Sequence, residues 1–161
     1  MPVRALMRGD MVQVQAMYGG WEERKRRAVF LSFDAEDMEY VEDFRDLARH
    51  ARVQLTIRDR SLREAVPSRK EEVVEDELLR RIHGCSVCIC LIGWNTWQRD
   101  WVNWEVSTCA AQGRGILGIR FPHARTARIP GALFRARAEI LPWVPYEFED
   151  AIERTARAAG F

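Results

Sequence analysis

The sequence predicts a three-layer α/β fold, in which helices cover both faces of a parallel β-sheet of about five strands. Short apolar segments alternate along the chain with segments whose apolar residues recur every three or four positions. This pattern is typical of strands that alternate with amphipathic helices. In addition, residues 86–93 (SVCICLIG) are apolar at almost every position, as expected for a central strand covered on two sides.

The first half of the chain predicts two strands with a helix between them. Residues 28–33 (AVFLSF) predict the first strand and residues 53–57 (VQLTI) the second. Asp34 or Asp37 is placed to cap the intervening helix. The inner face of that helix is predicted from apolar residues at helical spacing: Tyr40, Val41, Phe44, Leu47, Ala48 and Ala51.

An aperiodic segment, residues 58–68, is expected to form an ordered polar loop before the second helix. Ser68 and Glu71 form a capping box that begins this helix, and Gly84 is expected to end it. Its inner face is predicted to carry Val74, Leu78 and Ile82.

The second half continues the alternation. Residues 86–93 predict the third strand, and a helix from Trp101 to a stop at Gly113 follows, with Val102, Val106, Cys109 and Ala110 facing inward. Residues 115–121 (GILGIRF) predict the fourth strand. A long basic loop over 122–139, with a helical turn near 132–137, a fifth strand over 140–144 and a last helix from Pro145 complete the chain.

This order of elements is that of a doubly wound, flavodoxin-like sheet with strand order 2-1-3-4-5. Ligands of such sheets bind outside the carboxyl ends of the strands, at the point where the strand order reverses. The loops after Phe33, Ile57 and Gly93 are therefore the places to look for a site.

Composition limits the classes of function. With 161 residues, 47% hydrophobic residues and a net charge of +1, one globular domain without a strong polyanion field is expected, which disfavours nucleic-acid binding. No apolar run approaches the ~20 residues of a membrane span. We expect residues 1–27 to form an N-terminal appendage, in part disordered, and residues 28–161 to form the domain.

The cysteines favour a reducing cytoplasm and no metal. Four clustered thiols, Cys85, Cys88, Cys90 and Cys109, are too few for a disulfide framework. None of the three histidines stands at a spacing that would complete a zinc site. All four thiols are expected to be buried and apolar in character.

Three common uses of this fold fail on particular residues. The loop after the first strand is Asp34-Ala35-Glu36-Asp37, whose charge would repel the phosphate that a flavodoxin binds there. It also lacks the GxGxxG motif of dinucleotide-binding dehydrogenases. The third strand ends in Leu91-Ile92-Gly93 rather than in the aspartate of a phosphorylated receiver.

The remaining candidate is the segment LIGWNTWQRDWVNWEV, residues 91–106. Trp101 and Glu105 stand four residues apart and so share one helix face, in the first turns, where the helix dipole favours an ionised carboxylate. Trp94 is a candidate wall of the same pocket. A solvated glutamate beside packing tryptophans would produce the same pattern, and the residues alone leave both readings open.

The segments AVFLSFDAED, IRDRSL, CICLIGWNTWQRDWVNWEV and GRGILGI together resemble the TIR-like domains, and most closely the small ThsB-type proteins of bacterial Thoeris anti-phage defence. The likeness covers residues 28 to about 121 and, more weakly, 140–159. It implies a TIR fold that cleaves NAD⁺ at the nicotinamide–ribose bond. It also implies a product, often a cyclic ADP-ribose isomer, that activates an effector protein.

The resemblance assigns roles to particular positions. Glu105 matches the catalytic glutamate of the family, and Trp101 matches the aromatic residue that packs against the substrate. Ser32, Phe33 and Asp34 match the loop that borders the nucleotide. Asp59 and Ser61 belong to the D-x-S-L element of a loop that adjusts on substrate binding. Where many TIR enzymes have serine, two residues before the tryptophan, this chain has Arg99.

One carboxylate is sufficient for this chemistry because nicotinamide leaves as a neutral molecule, so no general acid is needed. The resemblance also implies NAD⁺ as substrate with no further cofactor, and assembly into a homo-oligomer or filament, while the cysteine and histidine pattern predicts a cytoplasmic protein without a metal. Arg58, Arg60 and Arg99 are candidates to pair with the pyrophosphate. Two other functions remain open: a non-catalytic TIR scaffold that self-assembles, and a transferase of similar fold that acts on free nucleosides.

Overall fold

A computed structural model describes residues 26–50, 53–57 and 71–161. Its strands form a five-stranded parallel sheet in the order β2-β1-β3-β4-β5. The fold class, the parallel pairing and the strand order are those predicted from the sequence. The strands are β1 (Arg27–Ser32), β2 (Val53–Ile57), β3 (Val87–Ile92), β4 (Gly115–Arg120) and β5 (Glu139–Leu141).

Helices cover both faces of the sheet. The α-helices are α1 (Met38–His50), α2 (Glu71–His83), α3 (Asp100–Ala111), α4 (Gly131–Arg135) and α5 (Pro145–Ala158). Helices α1 and α5 lie side by side, with the ring centroids of Phe44 and Phe148 5.7 Å apart. Helices α3 and α4 lie together as well, since the amide of Ala132 donates to the side-chain oxygen of Asn103 at 3.0 Å.

The core is centred on β3, whose six residues are all fully buried. This is the burial that its continuous apolar sequence predicts. Leu78 and Ile82 of α2 and Val102, Val106 and Cys109 of α3 face this core as expected. Ala110 was expected there too but is exposed, because one residue beyond Cys109 corresponds to a rotation of about 100° around the helix.

Several boundaries differ from the prediction by one or a few residues. Strand β1 begins at Arg27 and ends at Ser32, and the fifth strand covers Glu139–Leu141 rather than 140–144. A 3₁₀ turn at Ala35–Asp37 precedes α1, and the side chain of Asp34 caps it by accepting from the amide of Glu36 at 3.2 Å. Helix α5 begins at Pro145, as predicted.

All four cysteines are free and buried, as predicted. Over the described ranges, no helix is both long and apolar enough to cross a membrane. The expected loop at 58–68, the capping residue Ser68 and most of the proposed appendage lie outside the described residues.

Candidate active site

A cleft of about 300 Å³ opens where β1 ends and α3 begins, at the carboxyl edge of the sheet. This is the edge at which doubly wound sheets bind their ligands. Two larger concavities, of about 500 and 470 Å³, lie near the amino ends of the strands, and neither is lined by a buried acid of the described chain. The smaller cleft is lined by Phe33, Asp34, Ala35, Glu36, Arg99, Trp101 and Val102.

Glu105 lies on the core-facing side of α3 and is fully buried. It follows Val102 by one helical turn and precedes Cys109 by another, so it occupies a position that an apolar residue would normally take. The hydroxyl of Ser32, also fully buried, donates to Oε2 of Glu105 at 2.5 Å. A buried carboxylate is costly unless it accepts hydrogen bonds, so Ser32 at the end of β1 is part of what permits an acid at this position.

The surroundings of Glu105 are apolar and close to the centre of the sheet. Ser32 is paired in register with Cys90 of β3. Burial raises the pKa of the Cys90 thiol, and the negative charge of Glu105 raises it further. The carboxyl group of Glu105 therefore faces the junction of β1 and β3, where the strand order reverses.

Glu105 lies beneath the floor of the cleft and does not line it. Side chains on a helix lean toward its N-terminus, so the side chain of Glu105 is directed toward the turn that carries Trp101 and Val102, which line the cleft. The indole of Trp101 stacks on that of Trp104, with ring centroids 5.0 Å apart and planes at 19°. Trp101 thus belongs to the wall of the cleft, one helical turn before the buried Glu105.

Charged residues form the rim of the cleft. Nε of Arg99 donates to Oδ2 of Asp34 at 2.7 Å, and Nη2 of Arg99 lies 3.0 Å from Oε1 of Glu36. The hydrogen bond to Asp34 raises the pKa of the Arg99 guanidinium. The side-chain amide of Asn95 adds a bond to Oε2 of Glu36 at 3.2 Å.

A second polar group fixes the turn that leads into α3. The amide of Gly93 donates to the hydroxyl oxygen of Thr96 at 2.8 Å, and that hydroxyl donates to the carboxylate of Asp37. Nε2 of His123, from the turn after β4, lies 3.7 Å from Oδ1 of Asp37. Burial, and next the charge of Asp34, raise the pKa of Asp37, while His123 and Thr96 act in the opposite direction.

The structure brings together most of the site residues expected from the sequence. Phe33, Asp34 and Trp101 line the cleft, and Ser32 and Glu105 are bonded to each other beneath it. Trp94 is half exposed and does not line this cleft. Asp59 and Ser61 lie outside the described residues.

Sequence reasoning did not foresee the ion pairs of Arg99 or the group around Asp37. Local sequence carries a weak signal for Asp37, since acidic residues follow β1 and a glycine ends β3. Nothing in the sequence indicates that Arg99 reaches Asp34, 65 residues away along the chain.

Among the described residues, no group of three or more His, Cys, Asp or Glu side chains is arranged to hold a metal ion.

The family model described as "Thoeris protein ThsB, TIR-like domain" matches residues 30–126, the part of the chain that contains the cleft and Glu105. No match is found among curated proteins.

Solved structures with the same fold include three bacterial proteins. A 2-deoxyribosyltransferase from Bacillus psychrosaccharolyticus is 14% identical over 76% of this chain and 90% of its own, with a TM-score of 0.55. A conserved protein from Enterococcus faecalis is 10% identical over 80% and 98%, with a TM-score of 0.56. The CMP N-glycosidase of Clostridium botulinum is 12% identical over 80% and 99%, with a TM-score of 0.50.

Proposed function

The chain belongs to the TIR-like domain family of Thoeris ThsB proteins, and from this premise we propose that it is an enzyme that cleaves the nicotinamide–ribose bond of NAD⁺. The observation that carries the proposal is the buried carboxylate of Glu105, held by the Ser32 hydroxyl directly beneath a cleft at the carboxyl edge of the sheet. An acid in the core has no packing advantage over an apolar residue. Its presence beside a cleft favours a chemical role.

The reaction breaks the bond between C1′ of the ribose and the ring nitrogen of nicotinamide. The electron pair of this bond goes to the ring nitrogen, and nicotinamide leaves as a neutral molecule. The positive charge that remains on the ribose is stabilised by the carboxylate of Glu105, which acts in a water-poor environment where such attraction is strong. Water can capture this cation and release a proton, which yields ADP-ribose. Capture by a nitrogen of the same molecule yields a cyclic isomer.

Substrate must reach the acid through the floor of the cleft. Trp101 lines the cleft one helical turn before Glu105, so its ring moves as the ribose approaches the acid and then packs against the substrate. A moving aromatic wall also excludes water, which favours capture of the ribosyl cation by a group within the substrate. We accordingly propose a cyclic ADP-ribose isomer as the product, acting as a signal on an effector protein in anti-phage defence in the cytoplasm.

A second candidate is cleavage or transfer of the sugar of a free nucleoside. It is favoured by the charge of the rim, because Asp34 and Glu36 both pair with Arg99, the one arginine that lines the cleft in the described part of the chain. Two acids and one base leave a net negative rim, which is unfavourable for a phosphate-bearing substrate. The 2-deoxyribosyltransferase that shares this fold is described as a catalyst for the synthesis of nucleosides.

The test is release of the base from NAD⁺ and from nucleosides by the purified full chain, followed by chromatography and mass spectrometry. The proposal predicts nicotinamide release from NAD⁺ and a product with the mass of ADP-ribose or of its cyclic form. Glu105→Gln is expected to lower the rate by at least about a hundredfold, whereas Glu147→Gln, an exposed acid of α5, leaves it unchanged.

Each alternative has its own outcome. Base release from nucleosides but not from NAD⁺ would favour the nucleoside enzyme. No release from any substrate, at concentrations where the protein assembles, would overturn the catalytic proposal and leave a self-assembling scaffold.

A further inference from the structure

Arg99 is the only basic side chain that lines the cleft in the described part of the chain. It stands at the junction between the turn after β3 and helix α3, two residues before Trp101. A substrate whose ribose lies near Glu105 would place its phosphates within reach of this rim. The two other arginines that the sequence offers for such a role, Arg58 and Arg60, lie outside the described residues.

The guanidinium of Arg99 is only partly occupied. Nε and Nη2 are held by Asp34 and Glu36, at 2.7 and 3.0 Å, while Nη1 makes no hydrogen bond to the described residues. About 39% of the Arg99 side chain is exposed. A guanidinium presents five donors in a planar fork, which suits a phosphate group. In Arg99, Nη1 has no hydrogen bond to the described residues, and Nη2 is paired with the exposed side chain of Glu36.

The two acids that hold Arg99 differ in character. The side chain of Asp34 is 6% exposed and also caps the 3₁₀ turn by accepting from the amide of Glu36, so its position is fixed. The side chain of Glu36 is 64% exposed. An ion pair with so exposed a partner contributes little and exchanges readily for another anion. Glu36 is therefore the replaceable partner and Asp34 the permanent one.

We propose that Arg99 recognises the pyrophosphate of the substrate and that the pyrophosphate takes the place of Glu36 on its guanidinium. This inference rests on the proposed function and specifies how the same cleft selects a dinucleotide. Asp34 keeps the fork in position through Nε, and a phosphate oxygen pair binds at Nη1 and Nη2. With Glu36 displaced into solvent, the rim no longer repels phosphate, which removes the electrostatic objection to NAD⁺ as a substrate.

The proposal predicts opposite effects for two substitutions. Arg99→Gln removes the phosphate-binding group and should raise KM for NAD⁺ about tenfold, the equivalent of one lost charge-assisted contact. Glu36→Gln removes the competitor and should lower KM for NAD⁺ severalfold. Both variants should change KM for nicotinamide riboside, which has the same scissile bond but no phosphate, by less than about twofold.

Controls separate recognition from folding. Arg99→Lys keeps the charge but not the fork and should give an intermediate KM for NAD⁺. Arg49→Gln, at an exposed ion pair on α1, should leave both substrates unaffected. Equal increases in KM for NAD⁺ and nicotinamide riboside in Arg99→Gln would mean that Arg99 only supports the fold of the rim, and would overturn the proposal.

A binding measurement tests the inference without turnover. Calorimetric titration of the full chain with ADP-ribose should show binding that Arg99→Gln weakens about tenfold and Glu36→Gln strengthens. Identical affinities for wild type and Arg99→Gln, or no binding of ADP-ribose, would overturn the inference. If ADP-ribose binds in this way while NAD⁺ is not cleaved, the phosphate site stands and the proposed reaction fails.

Discussion

Substitution of Gly93, which directly follows β3, tests how the turn before α3 is held in place. A Cβ atom at this position would lie 2.1 Å from Oδ2 and 2.6 Å from Cγ of Asp37. The φ angle of Gly93 is not in the left-handed region, so alanine fits the backbone, and the three atoms nearest to its Cβ all belong to the Asp37 side chain. The Asp37 side chain can rotate more easily than the backbone at position 93 can shift, so the carboxylate of Asp37 must move away in Gly93→Ala.

The magnitude follows from what Asp37 loses when it moves. The hydroxyl of Thr96 would no longer donate to the Asp37 carboxylate, a contact of the kind that contributes about 1.5–3 kcal/mol. The substitution also reduces the entropy of the unfolded chain, which stabilises the protein by about 0.4–1 kcal/mol. The expected net loss in the free energy of unfolding is about 1–2 kcal/mol.

Urea unfolding followed by circular dichroism measures this loss, and a double-mutant cycle identifies its cause. In an Asp37→Ala background there is no carboxylate to displace, so Gly93→Ala should become neutral or slightly stabilising. An equal loss of stability in both backgrounds would refute the argument, because the cost would then not arise from contact between positions 93 and 37.

Two further predictions concern groups outside the cleft. Hydrogen bonds from Arg27, and next from Arg157, hold the pKa of Glu153 at about 2, against an ordinary value of 4.5. Because the pKa is lower in the folded state, this stabilisation is complete above pH 4.5 and is lost as the pH falls toward 2. Thermal melts across this range should show that the melting temperature of Glu153→Gln falls less steeply with pH than that of the wild type. An equally steep fall would contradict the role of Glu153. Burial raises the pKa of Cys90 and keeps all four thiols from solvent. A thiol reagent at about pH 8 should therefore label the chain in urea but not the native protein. Rapid labelling of the native protein would show that the core opens.

The sequence was sufficient to predict the architecture because the fold depends on local patterns. The continuous apolar run of β3 indicated burial on both faces, and the helical spacing of Val102, Val106 and Cys109 indicated the inner face of α3. These features depend on residues close together in the chain. Boundaries such as the fifth strand were less well predicted, since a three-residue edge strand leaves few positions for a pattern.

The site was predicted in its members but not in its arrangement. Ser32 and Glu105 were both expected near a ligand, yet the bond between them joins positions 73 residues apart and depends on how α3 packs over β1. The pairing of Arg99 with Asp34 has the same origin. Such contacts are decided by tertiary packing. Nor could the sequence determine that Glu105 is fully buried and lies outside the wall of the cleft.

If Glu105, held by the hydroxyl of Ser32, carries the cleavage reaction, then nicotinamide release from NAD⁺ must depend on both side chains, and assays of variants at these two positions decide the question. We expect Glu105→Gln to lose at least about a hundredfold in kcat. Ser32→Ala should lose a smaller factor, and Ser32→Thr, which keeps a hydroxyl, should retain most of the rate. A Glu105→Gln protein that is folded and releases nicotinamide as fast as the wild type would contradict a catalytic role for Glu105.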